Sequence, residues 1–67
     1  MPKPDSEREE AIEQLFECWK DTADMYRMAY YAARKGDAEG SAQFASVGDE
    51  ARAEALVMEE SLKQRAA

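Results

Sequence analysis

The chain has 67 residues, a formal net charge of −6, no histidine and one cysteine, Cys18. This length fits one small domain, which buries a smaller fraction of its surface than a larger domain does. A single cysteine cannot form a disulfide within the chain or supply a structural zinc site, so oligomerisation is the remaining common source of stability. The excess of fifteen acidic over nine basic residues disfavours direct contact with nucleic acid or an anionic membrane.

The first predicted element is a helix over residues 6–35, preceded by a flexible N-terminal tail (residues 1–5) that contains two prolines. Its N-cap is expected at Ser6 or just before it, because Ser6 followed three residues later by Glu9 matches the capping-box pattern. No glycine, proline or β-branched run interrupts this stretch. The helix is expected to end at Gly36, since glycine readily takes the left-handed conformation found at helix C-termini.

A second helix is predicted over residues 38–64, with Asp37 as its N-cap. Gly40 and Gly48 each lower its helix propensity by ~1 kcal/mol relative to alanine, and Gly48 allows a break into two shorter helices. The alanine-rich stretch at residues 51–58 favours one continuous helix. No alternating β-branched run predicts a strand.

The predicted fold is all-α: a single domain, residues 6–67, formed by an antiparallel two-helix hairpin that dimerises into a four-helix bundle. Dimerisation is predicted because the apolar arc of the first helix covers about four of seven heptad positions, which is too wide for one facing helix to bury. The apolar side chains expected to exceed what one hairpin can hide are Met25, Met28, Tyr31, Leu56 and Val57. The residues predicted to form the core or an interface are Ile12, Leu15, Phe16, Trp19, Met25, Tyr26, Tyr30, Phe44, Val47, Leu56, Met58 and Leu62.

Contacts between the two helices can also be predicted. If the chain turns near Gly36, Tyr26 lies over Val47 and Gly48. Large side chains on the first helix then face small ones on the second, a favourable arrangement for close packing. The aromatic stripe is expected to be core, or alternatively a Met- and Tyr-rich groove for a partner.

Negative charge is concentrated early in the chain, where eight carboxylates between Asp5 and Asp24 are accompanied only by Arg8 and Lys20. This face is expected to be solvated, or alternatively to contact a basic partner. The residues predicted for such a partner face are Glu10, Glu13, Glu17, Asp21 and Asp24.

No catalytic, metal-binding or cofactor-binding residue is predicted, because the chain lacks histidine bases, phosphate loops and calcium-loop spacing. Cys18 is expected to be a buried small side chain. An intersubunit disulfide and a reactive thiol are the alternatives, and Glu17 and Asp21 are expected to raise its pKa.

The segment Ala32–Glu39 resembles the turn between helices in tetratricopeptide and ankyrin repeats, although the predicted helices are longer than in either repeat. At the level of architecture, the predicted hairpin resembles ROP-type dimeric bundles, which implies a shape and no shared motif.

These features predict a cytoplasmic, non-enzymatic helical module that binds protein and acts as a homo-oligomer, as an adaptor or a regulator. The expected partner is a second copy of the chain, or a protein with a basic surface or one that fits an apolar groove. The alternative function is an acidic inhibitor that mimics nucleic acid on the basic surface of a target protein. Neither direct nucleic-acid binding nor membrane binding is expected.

Overall fold

The structure, a computed structural model, describes the backbone of residues 4–66 and the side chains of residues 6–64. Within that part of the chain there are two helices, α1 (Pro4–Arg34) and α2 (Ala38–Ala66), and no strand. The helices pack against each other along an elongated molecule of 52 × 18 × 12 Å. The predicted helical hairpin is therefore confirmed.

The start of α1 differs from the prediction, because the helix already includes Pro4 and Asp5. Proline is tolerated in the first turn, where the backbone N–H that it lacks has no partner within the helix. Ser6 therefore lies inside the first turn. The remainder of the predicted tail, residues 1–3, lies outside the described residues.

The turn between the helices follows the predicted glycine. Gly36 has a φ of 84°, and its N–H donates to the Ala33 carbonyl at 3.0 Å while the Asp37 N–H donates to the Ala32 carbonyl at 2.9 Å. These two bonds form a Schellman motif that satisfies the last carbonyls of α1. The Asp37 carboxylate then accepts a bond from the Gly40 N–H at 2.9 Å, which confirms Asp37 as the N-cap of α2.

The second helix is continuous through Gly48, as predicted. The Tyr26 ring lies directly over this glycine: a Cβ added to Gly48 would be 2.9 Å from Tyr26 Cε1. The predicted contact between Tyr26 and Gly48 is therefore confirmed. The missing side chain at Gly48 gives the ring its place between the helices.

One stripe of α1 faces α2, and we call it the inner stripe. Every member is buried or half-buried, and successive members are three or four residues apart, the spacing of a coiled-coil seam. The inner stripe consists of Ala11, Leu15, Cys18, Thr22, Met25, Ala29 and Ala32. The stripe of α2 with the same spacing and similar burial consists of Ser41, Phe44, Gly48, Ala51, Ala55, Met58 and Leu62.

The most deeply buried residues of the described hairpin are small. Ala29, Ala32 and Ala55 are buried, and Thr22 is only 4% exposed. The Thr22 hydroxyl donates to the Cys18 carbonyl at 2.9 Å, so its burial leaves no unpaired polar group. The centre of the hairpin is thus a close approach of two backbones, and much of the large apolar surface stays outside it.

Candidate interaction surface

A second apolar stripe runs along α1 beside the inner stripe, and we call it the outer stripe. Each member follows an inner-stripe residue by one position, a rotation of about 100° around the helix. The outer stripe consists of Ile12, Phe16, Trp19, Ala23, Tyr26, Tyr30 and Ala33. Trp19 is half-buried and the other six are exposed, so α2 leaves most of this stripe uncovered.

The large side chains of the outer stripe expose a substantial apolar area. Phe16 is 66% exposed, Tyr30 58% and Ile12 48%. Since one aromatic side chain can bury about 150–250 Å², the exposed parts of the stripe add up to several hundred Å², on the order of one partner's share in a protein–protein interface. Contiguous apolar patches of this size on a small protein are typical of interaction sites.

Tyr26 connects the outer stripe to α2. Its hydroxyl donates a short hydrogen bond to Asp49 Oδ1, and this bond raises the pKa of Tyr26 above its ordinary value. The ring is fixed at both ends, by Gly48 beneath it and by the carboxylate at its tip. This part of the outer stripe is therefore held in place by contacts within the hairpin.

The aromatic residues near the turn form a smaller cluster. The Tyr30 and Tyr31 rings lie 5.8 Å apart between centroids, and the Arg34 guanidinium lies 5.8 Å from the centre of the Tyr30 ring. The cation stacks on the ring face in a cation–π arrangement. The end of the outer stripe near the turn is therefore bordered by the positive charge of Arg34.

The predicted core and interface residues divide between the two stripes and their edges. Six are half-buried: Leu15, Trp19, Met25, Phe44, Met58 and Leu62. The six exposed ones are Ile12, Phe16, Tyr26, Tyr30, Val47 and Leu56. Val47 is exposed because its neighbour Gly48 takes the position that faces α1.

The predicted core and interface residues do not include Thr22, Ala29 and Ala55, which the structure buries at the centre of the hairpin. Their signal was the alternating three- and four-residue spacing shared with Cys18 and Met25, which marks one seam among several apolar columns. Small residues fit best where two helices approach most closely, and that preference selects the seam.

A groove on the other flank of α1 carries the negative charge. It has a volume of about 580 Å³ and opens between the two helices, above Cys18 and Met58. Five carboxylates line it, and we call it the acidic groove: Glu10, Glu13, Glu17, Asp21 and Glu54. Of the predicted acidic face, Asp24 alone is not in this lining, and its carboxylate pairs with Arg27 one turn along the helix.

Cys18 is buried at the contact between the helices, and its thiol donates to the Ala51 carbonyl at 3.1 Å. Burial raises the pKa of the Cys18 thiol, and the carboxylates of Glu54 and Asp21 raise it further. Asp21 has the predicted effect and Glu17 does not, while Glu54 adds an effect from α2 that the sequence alone did not reveal. A raised pKa keeps the thiol protonated and poorly nucleophilic at neutral pH.

Two further properties of the described residues bear on the site. Among residues 4–66, no cluster of three or more Cys, Asp or Glu side chains is arranged to hold a metal ion. Neither α1 nor α2 contains an apolar stretch long enough to cross a bilayer.

No protein-family model, curated protein or solved structure matches the chain.

Proposed function

We propose that the protein is a non-enzymatic interaction module that assembles as a homodimer through the outer stripe, and that it acts in this form as an adaptor or regulator. The observation that supports this most strongly is the outer stripe itself. It repeats the spacing of the inner stripe over the same length of α1, yet its large side chains have no covering helix. A second hairpin supplies one, and the product is a four-helix bundle.

The spacing favours a helical partner over a flat or irregular surface. Residues three and four positions apart insert between the side chains of a facing helix along its whole length. The second copy of the chain offers an identical stripe, and a two-fold interface brings the same patch together from both subunits. Each copy thereby covers the apolar area that the other leaves exposed.

The first test is the mass in solution, measured by light scattering at several concentrations. The expected mass is twice the 7.6 kDa of one chain. The substitution Phe16→Glu places a charge within the outer stripe and is expected to yield a monomer, because an unpaired charge cannot be buried without a large desolvation cost.

Val57→Glu is the matched control. Val57 is 71% exposed and lies beside Ala11 and Gln14, away from the outer stripe. This variant adds the same charge and is expected to keep the dimer mass. A wild-type monomer at high concentration, or equal weakening by both substitutions, would contradict the proposal.

A second candidate function rests on the acidic groove. Five carboxylates on one flank, with the apolar Met58 at its floor, form a surface suited to a basic protein partner. In this role the chain acts as an acidic inhibitor that occupies a nucleic-acid-binding surface. Affinity for such a partner is expected to fall steeply as salt is added, whereas assembly through the outer stripe is not.

A further inference from the structure

We infer that the two copies meet with their α1 helices antiparallel, around a two-fold axis that crosses α1 near residue 21. This inference rests on the proposed dimer and adds its orientation and register. Two features of α1 carry it: the order of large and small residues in the outer stripe, and the distribution of charge along the helix.

The order of side-chain sizes disfavours a parallel pair. In a parallel pair each residue meets its own copy, so that Trp19 opposes Trp19 and Ala23 opposes Ala23. The first layer is then crowded and the second leaves a gap, and both faults are costly in a close-packed interface. The antiparallel register instead places Trp19 opposite Ala23 of the second copy, a large residue against a small one.

The same register fills the remaining layers. Phe16 lies opposite Tyr26 of the second copy, and Ile12 lies opposite Tyr30. Along the outer stripe, successive residues are alternately four and three positions apart. Each layer of the antiparallel pair joins a residue that lies four positions after its predecessor to one that lies three positions after its predecessor, as in antiparallel coiled coils. Because the axis is two-fold, every layer occurs twice, and the layers use the outer stripe from Ile12 to Tyr30; Ala33 lies opposite Glu9 of the second copy.

Charge along α1 points to the same orientation. Eight carboxylates lie between residues 5 and 24, and only basic charges, Arg27, Arg34 and Lys35, lie between residues 25 and 35. A parallel pair sets the two acidic halves side by side. An antiparallel pair sets the acidic half of each helix beside the basic end of the other, and it also opposes the two helix dipoles.

One cross-chain ion pair follows from the register. Glu13, which also lines the acidic groove, and Arg27 each directly follow an outer-stripe residue, Ile12 and Tyr26. The register brings Glu13 of one copy within two residues, about 3 Å along the axis, of Arg27 of the second. Arg27 already pairs with Asp24 of its own helix at the surface. Its guanidinium has five N–H donors, so it can bind both carboxylates at once.

The orientation is tested by distances between spin labels in the full-length protein. Glu10→Cys and Lys20→Cys are each made with Cys18→Ala, so that one label is attached per chain; both label positions are exposed and lie off the outer stripe. At a rise of 1.5 Å per residue, the antiparallel register separates the two residue-10 labels by about 33 Å along the axis and the two residue-20 labels by only about 3 Å.

A long distance at residue 10 together with a short one at residue 20 is the expected result, with the dimer mass verified for each labelled variant. Equal, short distances at both positions mean a parallel pair, and long distances at both positions mean that the axis lies elsewhere. Either result overturns the orientation and leaves the proposed dimer standing. A monomer mass for the Cys18→Ala protein and for the wild type overturns the proposed dimer and the orientation together.

Discussion

At the scale of single residues, Gly48 sets how closely the two helices approach. Within a helix, glycine costs about 1 kcal/mol relative to alanine. In return, the Tyr26 ring occupies the space where a Cβ would lie, and its hydroxyl reaches Asp49. The loss of helix propensity is thus offset by a large side chain packed across the interface.

Replacing Gly48 with alanine should therefore have opposite effects in two backgrounds. In the wild type, Gly48→Ala is expected to destabilise the protein by about 1 kcal/mol, because the cost of overpacking exceeds the gain in helix propensity. In a Tyr26→Ala background the space is open, and the same substitution is expected to stabilise by about 1 kcal/mol. Urea denaturation followed by circular dichroism, at one fixed protein concentration, measures both. The same sign in both backgrounds would show that Tyr26 does not occupy the space over Gly48.

At the scale of the elements, the turn depends on two adjacent residues with different roles. Gly36 takes the left-handed conformation that ends α1, and Asp37 caps α2. A Cβ added at Gly36 meets no atom within 4 Å, so any cost of a side chain there comes from the backbone conformation alone. A substitution at Gly36 therefore tests the backbone conformation of the turn and not its packing.

Gly36→Ala is expected to lower the free energy of unfolding by about 1–2 kcal/mol, the cost of a left-handed residue with a side chain. The matched control is Lys35→Ala, at an exposed neighbouring position, with an expected change within about 0.5 kcal/mol. Thermal and urea unfolding of the three proteins, compared at equal concentration, provides the measurement. If the two substitutions have equal effects, the φ at Gly36 is not what holds the turn.

Most of the helix boundaries could be predicted because their signals are local. The glycine that ends α1 and the aspartate that begins α2 act on the backbone within four residues of themselves. The start of α1 was misplaced by two residues because proline, which breaks a helix interior, is tolerated in the first turn. The side chains that meet across the hairpin were harder to predict, because several apolar columns compete for one facing helix.

At the scale of the whole molecule, charge and apolar surface lie on different flanks of α1. The acidic groove lies on one side of the inner stripe and the outer stripe on the other. A dimer formed through the outer stripe therefore leaves the rest of the acidic groove, with Glu10, Glu17, Asp21 and Glu54, open to solvent in both copies. Repulsion between two chains of charge −6 opposes the assembly, and the apolar contact favours it.

The dimer is consequently expected to persist when salt is raised from about 0.05 M to about 1 M NaCl, where the Debye length falls to about 3 Å. Screening reduces the repulsion between the two acidic chains and leaves apolar burial intact. The exposed ion pairs that salt weakens contribute at most about 1 kcal/mol each. Sedimentation equilibrium measures the mass at both salt concentrations, with Phe16→Glu as the monomeric reference. Dissociation of the wild type at high salt would mean that the contact is mainly electrostatic.

The sequence by itself determined two long helices, the turn that joins them, and an apolar arc on α1 wider than one helix can cover. These properties follow from local capping chemistry and from periodicity, both of which can be recognised without knowing any contact. Only the tertiary structure decided which part of the arc is inside. The column of Cys18 and the column of Thr22 face α2, where the small Thr22, Ala29 and Ala32 let the backbones approach closely, and the larger Phe16 and Tyr30 remain on the flank. That choice depends on how the surfaces of α1 and α2 fit together, and the periodicity of one helix gives no information about this fit.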